Sequence, residues 1–169
     1  MPWAEDDLAL LIRLNAPEMM EHLGGPETAV QVLQRHEKYL GIARSGTVRD
    51  AGAEIRAFVF KMVLEPEGAG VGSVNFWDRE WKGEQVYEMG WSVVPEFQGR
   101  GIASVAVAQA VEVARATRRR PAVHAFPSVE NPPSNAICRK VGFALLGEVR
   151  FEYPKGHWMQ CSDWRLSLG

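Results

Sequence analysis

The stretch VVPEFQGRGIAS, residues 93–104, leads from a β-branched segment through a Gly-x-Gly turn into a long run of Ala and Val. Glycine at alternate positions indicates that the backbone turns tightly there or that another molecule approaches it closely. A helix start offers several unpaired N–H groups, which favour an anion. The turn therefore predicts an anion-binding loop between a strand and a helix.

Two common phosphate-binding motifs do not fit this turn. Gly99-Arg100-Gly101 lacks the third glycine of a G-x-G-x-x-G fingerprint, and the Gly-Lys-Ser/Thr of a P-loop is absent from the sequence. For Gly-x-Gly alone, a turn that serves only the fold remains the alternative. The longer segment QGRGIA, residues 98–103, has the form Q-x-x-G-x-A before an apolar helix, which favours a binding function.

Composition predicts one domain, residues 1–169, without a strongly charged partner. The 169-residue chain is 46% hydrophobic and has a formal net charge of −2, which argues against a nucleic-acid partner. Cys138 and Cys161 are far apart and form no metal-binding pattern. The acidic N-terminus lacks a long apolar run, so we expect no membrane span and a cytoplasmic location.

Hydrophobic periodicity predicts an α/β domain whose mixed, mostly antiparallel sheet is flanked by helices. The expected order is α-α-β-β-β-α-β-α-β-β, and RSGTVRDAG at residues 44–52 is predicted as a loop. Helices are predicted at residues 5–15, 26–43, 102–119 and 135–141, and strands at 54–64, 71–78, 86–94, 122–126, 143–153 and 157–168, the last two turning at Pro154. Because no strand precedes Glu5, one sheet edge is expected to be uncovered, which weakly favours a homodimer.

Two further motifs lie at suitable distances after the glycine turn. They are NPPSN at residues 131–135 and RKVGF at residues 139–143. With these motifs the sequence resembles the GNAT superfamily of N-acyltransferases over residues 8–168, and it is most similar to the RimJ/RimL-like branch. The resemblance implies a single GNAT-type domain with splayed central strands. It also implies acetyl-CoA as the acyl donor, a primary amine as the acceptor and no metal.

The resemblance, with the chemistry of coenzyme A, places the donor on the turn. Backbone N–H groups of residues 99–104 would hold the pyrophosphate, and strand residues 91–94 would pair with the amide-bearing arm. The Val93 or Val94 amide would polarise the thioester carbonyl. The residues predicted to bind the donor are Val93, Val94, Gln98, Gly99, Arg100, Gly101, Ile102, Ala103, Ser104, Asn131 and Ser134.

Two residues are predicted to move protons. Glu88, in the strand segment VYEMGW, would accept the proton of the amine. The alternative is an exposed or ion-paired strand carboxylate, and Asp78, Glu80 and Glu84 are weaker candidates for the base. By the resemblance, Ser134 would protonate or hydrogen-bond the departing thiolate, because Cys138 stands where many relatives have Tyr. The alternative for Ser134 is that it only caps a helix.

These predictions together describe direct acetyl transfer in a ternary complex, since no well-placed nucleophile suggests a covalent intermediate. Protein N-termini, lysines and small amines all remain as acceptors. An acyl-CoA-binding sensor of the same fold, without turnover, is the alternative function.

Overall fold

Three helices precede the main strands. In the computed structural model, which describes residues 1–66, 68–153 and 155–169, α1 spans Leu8–Leu14, α2 Pro17–Met20 and α3 Ala29–Ser45. Helix α3 begins after Thr28 and not at Pro26, because a capping box closes its first turn. The Thr28 hydroxyl accepts from the Gln31 amide, while Gln31 Oε1 accepts from the Thr28 amide at 2.9 Å.

Seven strands form a sheet in the order β1-β2-β3-β4-β5-β7-β6 in the described part of the chain. All neighbouring strands run antiparallel except β4 and β5, so the predicted α/β class with a mixed, mostly antiparallel sheet is confirmed. The strands are β1 Thr47–Asp50, β2 Ala53–Leu64, β3 Ala69–Trp81, β4 Glu84–Val93, β5 Ala122–Ala125, β6 Ala144–Glu152 and β7 Trp158–Ser167. Pro154, where the last hairpin was predicted to turn, lies outside the described residues.

The predicted loop at residues 44–52 is wrong, because its centre forms β1. Ala51 and Gly52, with φ of 46° and 86°, make a two-residue hairpin turn into β2. Ala is unusual at a turn position with positive φ, so the sequence did not predict this hairpin. Pro2 also forms an isolated bridge with Phe60, in the second half of β2. The edge of β2 is therefore covered by β1 along Ala53–Arg56 and bridged again at Phe60.

The central strands splay, as predicted. β4 and β5 are in register only at Tyr87↔Val123 and Glu88↔His124, and the five residues of β4 that follow Glu88 have no strand partner on that side. Helix α4, Ile102–Thr117, follows β4, and α5, Pro132–Val141, follows β5. The splay thus opens toward the starts of both helices.

Helix α4 supports this opening through one apolar stripe. The stripe has the spacing i, i+3, i+4, i+7 of a helix face and packs on β3 and β4. Its buried members are Val107, Ala110, Val111 and Ala114. Among the described residues, no helix is long and apolar enough to cross a membrane.

Candidate active site

A cavity of about 620 Å³ lies where β4 and β5 separate. It joins the glycine turn to Glu88 in one continuous space. Most of the predicted site residues line it: Glu88, Val93, Gln98, Gly99, Gly101, Ile102, Ala103, Ser104, Asn131 and Ser134. Val94 and Arg100 are not among the lining residues.

The turn has the backbone that the two glycines predicted. Gly99 and Gly101 have φ of 72° and 77°, in the left-handed region that favours glycine. Gly101 is the N-cap of α4, and its carbonyl accepts the first helical bond, from the Val105 amide. The amides of residues 102–104 therefore have no partner within the helix and are available to an anion.

A lysine that the sequence did not indicate stands beside this turn. Lys140 Nζ lies 3.7 Å from the position that a Cβ on Gly101 would occupy. Arg100, one of the residues predicted to bind the donor, donates from Nη2 to the Glu96 carbonyl at 2.8 Å and lies over the Phe97 ring. The ammonium of Lys140 therefore stands beside the turn, whereas the guanidinium of Arg100 is bonded to the Glu96 carbonyl. Lys140 belongs to the RKVGF motif, but spacing alone does not tell which side chain reaches the turn.

The two candidate amides on β4 are not equivalent. The Val94 amide donates to the Val71 carbonyl at 2.9 Å, so it is already used and the prediction for Val94 is corrected. Val93 is the next position of the ladder, opposite Gly72, and by the alternation of antiparallel pairs its N–H and C=O face the splay. The side chain of Gln98 donates to the Val93 carbonyl at 2.8 Å and fixes this end of the strand.

Gly72 on β3 allows the backbones of β3 and β4 to approach closely near the end of β4. A Cβ on Gly72 would lie 2.4 Å from the Ser92 carbonyl oxygen, a distance that no side chain tolerates. The two backbones therefore approach closely only because this residue is glycine. The position of Val93 at the splay depends on that approach.

The start of α5 corrects the alternative role given to Ser134. Asn131 is the N-cap, and its Oδ1 accepts from the Ser134 amide at 3.1 Å. Ser134 is the third residue of the helix, so it is not the cap. Its side chain is half-buried and lines the cavity. The hydroxyl is thus not committed to capping the helix.

Glu88 is buried, with 7% of its surface exposed. Its Oε2 lies 2.9 Å from Arg79 Nη1, at ion-pair distance but without the direction of a hydrogen bond. Burial raises the pKa of Glu88 to about 7, although the Arg79 charge lowers it. The alternative that Glu88 is an exposed carboxylate is therefore wrong, whereas the alternative of an ion pair is confirmed. A carboxyl with this pKa can take up and release a proton near neutral pH.

The weaker candidates for a base are engaged outside the cavity. Asp78 pairs with Arg120 at 2.6 Å. Glu80 accepts from Gln85, and Glu84 pairs with Arg165 at 3.0 Å. Glu88 alone of the four lines the cavity.

Cys138 and His124 are structural. Burial raises the pKa of the Cys138 thiol to about 12, so it carries no thiolate at neutral pH. His124 is buried with its Nδ1 2.7 Å from Asp163 Oδ1. Neither lines the cavity. No cluster of three His, Cys, Asp or Glu suited to a metal occurs among residues 1–66, 68–153 and 155–169.

Aromatic side chains form the far wall of the cavity around Glu88. They come from α3, β3, the end of β5 and the β6–β7 hairpin, which are remote in sequence. Phe126 and Phe151 are stacked at 4.6 Å between ring centres. The wall consists of Tyr39, Trp77, Phe126, Phe151 and Tyr153.

Trp91 also lines the cavity, on the splayed part of β4. Its indole N–H is buried and has no hydrogen-bond partner in the described part of the chain. A buried donor without a partner is costly, so this group is available to a bound molecule.

The chain is similar in sequence to known acetyltransferases. The family model described as the acetyltransferase (GNAT) domain matches residues 1–144. The chain is 30% identical over 98 residues to the uncharacterized N-acetyltransferase YnaD of Bacillus subtilis, and this alignment covers 58% of the chain and 56% of YnaD.

Solved structures with the same fold extend over nearly the whole chain. RimJ of Mycobacterium smegmatis, in complex with CoA-disulfide, is 23% identical with a TM-score of 0.72, over 98% of this chain and 79% of that one. Spermidine N-acetyltransferase of Vibrio cholerae, in complex with CoA and spermine, is 17% identical with a TM-score of 0.71, over 99% and 94%. At these identities the likeness concerns the fold.

Proposed function

Because this chain belongs to the GNAT acetyltransferase family, we propose that it transfers an acetyl group from acetyl-CoA directly to a primary amine. The family match confirms the superfamily, the enzyme class and the acyl donor that the sequence predicted. The roles of individual residues, the acceptor and the order of events are the proposal. The observation that carries it is a buried carboxyl with a pKa of about 7 in the same cavity as an anion-binding turn.

The donor fits the turn side of the cavity. The free amides of residues 102–104 and the ammonium of Lys140 would hold the pyrophosphate. The outward-facing backbone of Trp91 would pair with the amide-bearing arm, and Asn131 would bond it from the other side. Acetyl-CoA supplies an activated acetyl group as a thioester. The Val93 amide would donate to its carbonyl oxygen as negative charge develops there.

Glu88 would act as the general base. An amine is mostly protonated at neutral pH and must lose a proton before or during attack. The carboxylate lines the cavity and is ionised above its pKa of about 7, so it can accept this proton directly or through one water. Of the four carboxylates that the sequence offered as a base, Glu88 alone lines the cavity, and it is buried there whereas Glu18 and Glu21 line it from the N-terminal helices.

Ser134 would assist the departing thiolate. Asn131 caps α5, so the Ser134 hydroxyl can donate to the sulfur without loss of the helix cap. A neutral hydroxyl is a weak acid, and we therefore assign it a hydrogen bond to the thiolate rather than full proton transfer. Cys138, at the position where many relatives have Tyr, is buried and does not line the cavity.

The acceptor would be a primary amine on a protein N-terminus, a lysine or a small molecule. The aromatic wall formed by Tyr39, Trp77, Phe126, Phe151 and Tyr153 would attract the ammonium before deprotonation. The NPPSN motif supports the RimJ/RimL-like branch, which includes N-terminal acetyltransferases of ribosomal proteins. A homodimer and a cytoplasmic location stay predictions.

Initial-rate kinetics test the proposal. Thiol release from acetyl-CoA would be followed while both acetyl-CoA and amine are varied, with a panel of N-terminal peptides, lysine peptides, amino acids and polyamines. Intersecting double-reciprocal lines are expected for a ternary complex, and parallel lines would indicate a covalent intermediate. Tight binding of acetyl-CoA with no thiol release for any amine would favour the sensor instead.

A further inference from the structure

Arg79 forms an ion pair with the carboxylate of Glu88. Glu88 lines the cavity, whereas Arg79 does not. On the sheet, Arg79 faces Val86 and Trp77 faces Glu88, so Arg79 and Glu88 are diagonal neighbours on one face. The contact joins Arg79 Nη1 to Glu88 Oε2 at 2.9 Å.

The two oxygens of Glu88 have different surroundings. Oε2 is shut off from solvent and has no hydrogen-bond partner in the described part of the chain, so the Arg79 charge is its compensation. Oε1 is not shut off in this way, and the residue itself lines the cavity. One oxygen therefore faces a cation, and the other remains for a molecule in the cavity.

Aromatic rings hold the Arg79 guanidinium in place. It lies 5.0 Å from the centre of the Phe151 ring and 5.9 Å from that of Trp81. Phe151 stacks on Phe126, and Trp81 packs edge-on against Phe126. The Arg79 side chain stays 35% exposed, so the rings cover part of the guanidinium and hold it through cation–π contacts.

We propose that Arg79 is a positioning residue for the acetyl transfer: it fixes Glu88 through Oε2 and directs Oε1 to the acceptor amine. This inference rests on the proposed function, in which Glu88 is the base. Arg79 does not touch the amine. It acts through the orientation and the charge balance of the carboxylate.

The other charged and titratable groups around Glu88 do not replace Arg79. Asp50 raises the pKa of Glu88, opposite to the effect of Arg79. His124 is in register with Glu88 on β5, but its Nδ1 is engaged by Asp163. Burial chiefly raises the pKa of Tyr153 and of Cys161, and the charge of Glu88 adds to the rise, so neither group supplies a positive charge to Glu88.

The test compares Arg79→Gln with Arg79→Lys and with a matched control, Arg120→Gln. Arg120 forms a similar ion pair with Asp78 on the same strand as Arg79, away from the cavity. We expect Arg79→Gln to move the acidic limb of the pH profile of kcat/KM for the amine upward by about one unit or more. Arg79→Lys should move the acidic limb by less than about half of that shift, because the positive charge at position 79 remains. Arg120→Gln should leave it in place.

A second readout does not require turnover. NMR titration of the Glu88 carboxyl in the free protein should show the same upward shift of its pKa in Arg79→Gln. An unmoved limb and an unmoved titration in Arg79→Gln, or an equal shift in Arg120→Gln, would overturn the inference. Should Arg79→Gln fail to fold, a Glu88 titration in Arg79→Lys more than about one unit above wild type would contradict it. Failure of the proposed function appears differently, as a limb that persists in Glu88→Gln.

Discussion

The two halves of the cavity differ in the groups that line them: one presents mostly backbone amides and the other mostly side chains. The donor half, residues 99–104 and 131–134, presents mostly backbone amides set by glycines and by a helix cap. The acceptor half, Glu88 with the aromatic wall and Arg79, consists of side chains from segments far apart in sequence. Backbone geometry suits a donor that never varies, whereas side chains can change with the acceptor while the fold stays the same.

This difference predicts that changes in the two halves have separate effects. A change in the donor half should weaken acetyl-CoA binding for every amine. A change in the acceptor half should lower the rate or alter amine choice while acetyl-CoA affinity stays the same. A variant of one half that shows the effect expected for the other half would contradict that separation.

The largest expected effect is that of Glu88→Gln. Removal of a general base should lower kcat by about 100-fold or more. Acetyl-CoA affinity by calorimetry should hardly change, because Glu88 lies in the acceptor half. Glu84→Gln is the control, since Glu84 is on the same strand, paired with Arg165 and outside the cavity. If both variants lose the same activity, Glu88 has no special role.

Gly101→Val should weaken acetyl-CoA binding by about 10- to 100-fold, the contribution of one hydrogen bond to a charged group. The added side chain would stand at the turn beside Lys140. Gly83→Val is the control, because Gly83 has a φ of 82° and similar backbone strain but lies in the β3–β4 turn. Both variants should unfold more easily. Equal acetyl-CoA affinity in both would separate the turn from donor binding.

Ser134→Ala should lower kcat by about tenfold, because a hydrogen bond to the leaving sulfur matters mainly in the transition state. Its Tm should stay near that of wild type, since Ser134 is not the helix cap. Asn131→Ala removes the cap and should cost about 1 kcal/mol of stability, visible as a lower Tm. A reversed pattern, with Ser134→Ala the less stable variant, would show that Ser134 serves the helix.

The backbone of the donor half could be predicted from the sequence, whereas most side chains of the acceptor half could not. The glycines at positions 99 and 101 are required by positive φ, so the turn was readable from residue type alone. The sequence did not predict which charged side chain lies beside the turn, because the position of Lys140 depends on how α5 packs. The same holds for Arg79, whose contact with Glu88 depends on strand register. β1 escaped prediction because Ala51 fills a turn position where Asn or Gly is usual.

The smallest expected effect is on stability. The pKa of Glu88 is raised from 4.5 to about 7, so the folded protein binds more protons than the unfolded chain between these values. Stability contributed by this group is therefore complete below about pH 4.5 and is lost as the pH rises through about 7. Glu88→Gln removes this loss, so its Tm relative to wild type should be higher at pH 8 than at pH 5. Parallel Tm curves would show that Glu88 is not buried as an acid.

The most direct test of the account is the pH dependence of kcat/KM for an accepted amine, measured by thiol release in wild type, Glu88→Gln and Glu84→Gln. The base must be ionised to act, so the wild-type rate should fall below about pH 7, and Glu84→Gln should follow it. In Glu88→Gln this limb should disappear, leaving a low rate. A limb that keeps its position in Glu88→Gln would contradict the account, because the proton would then go to another group.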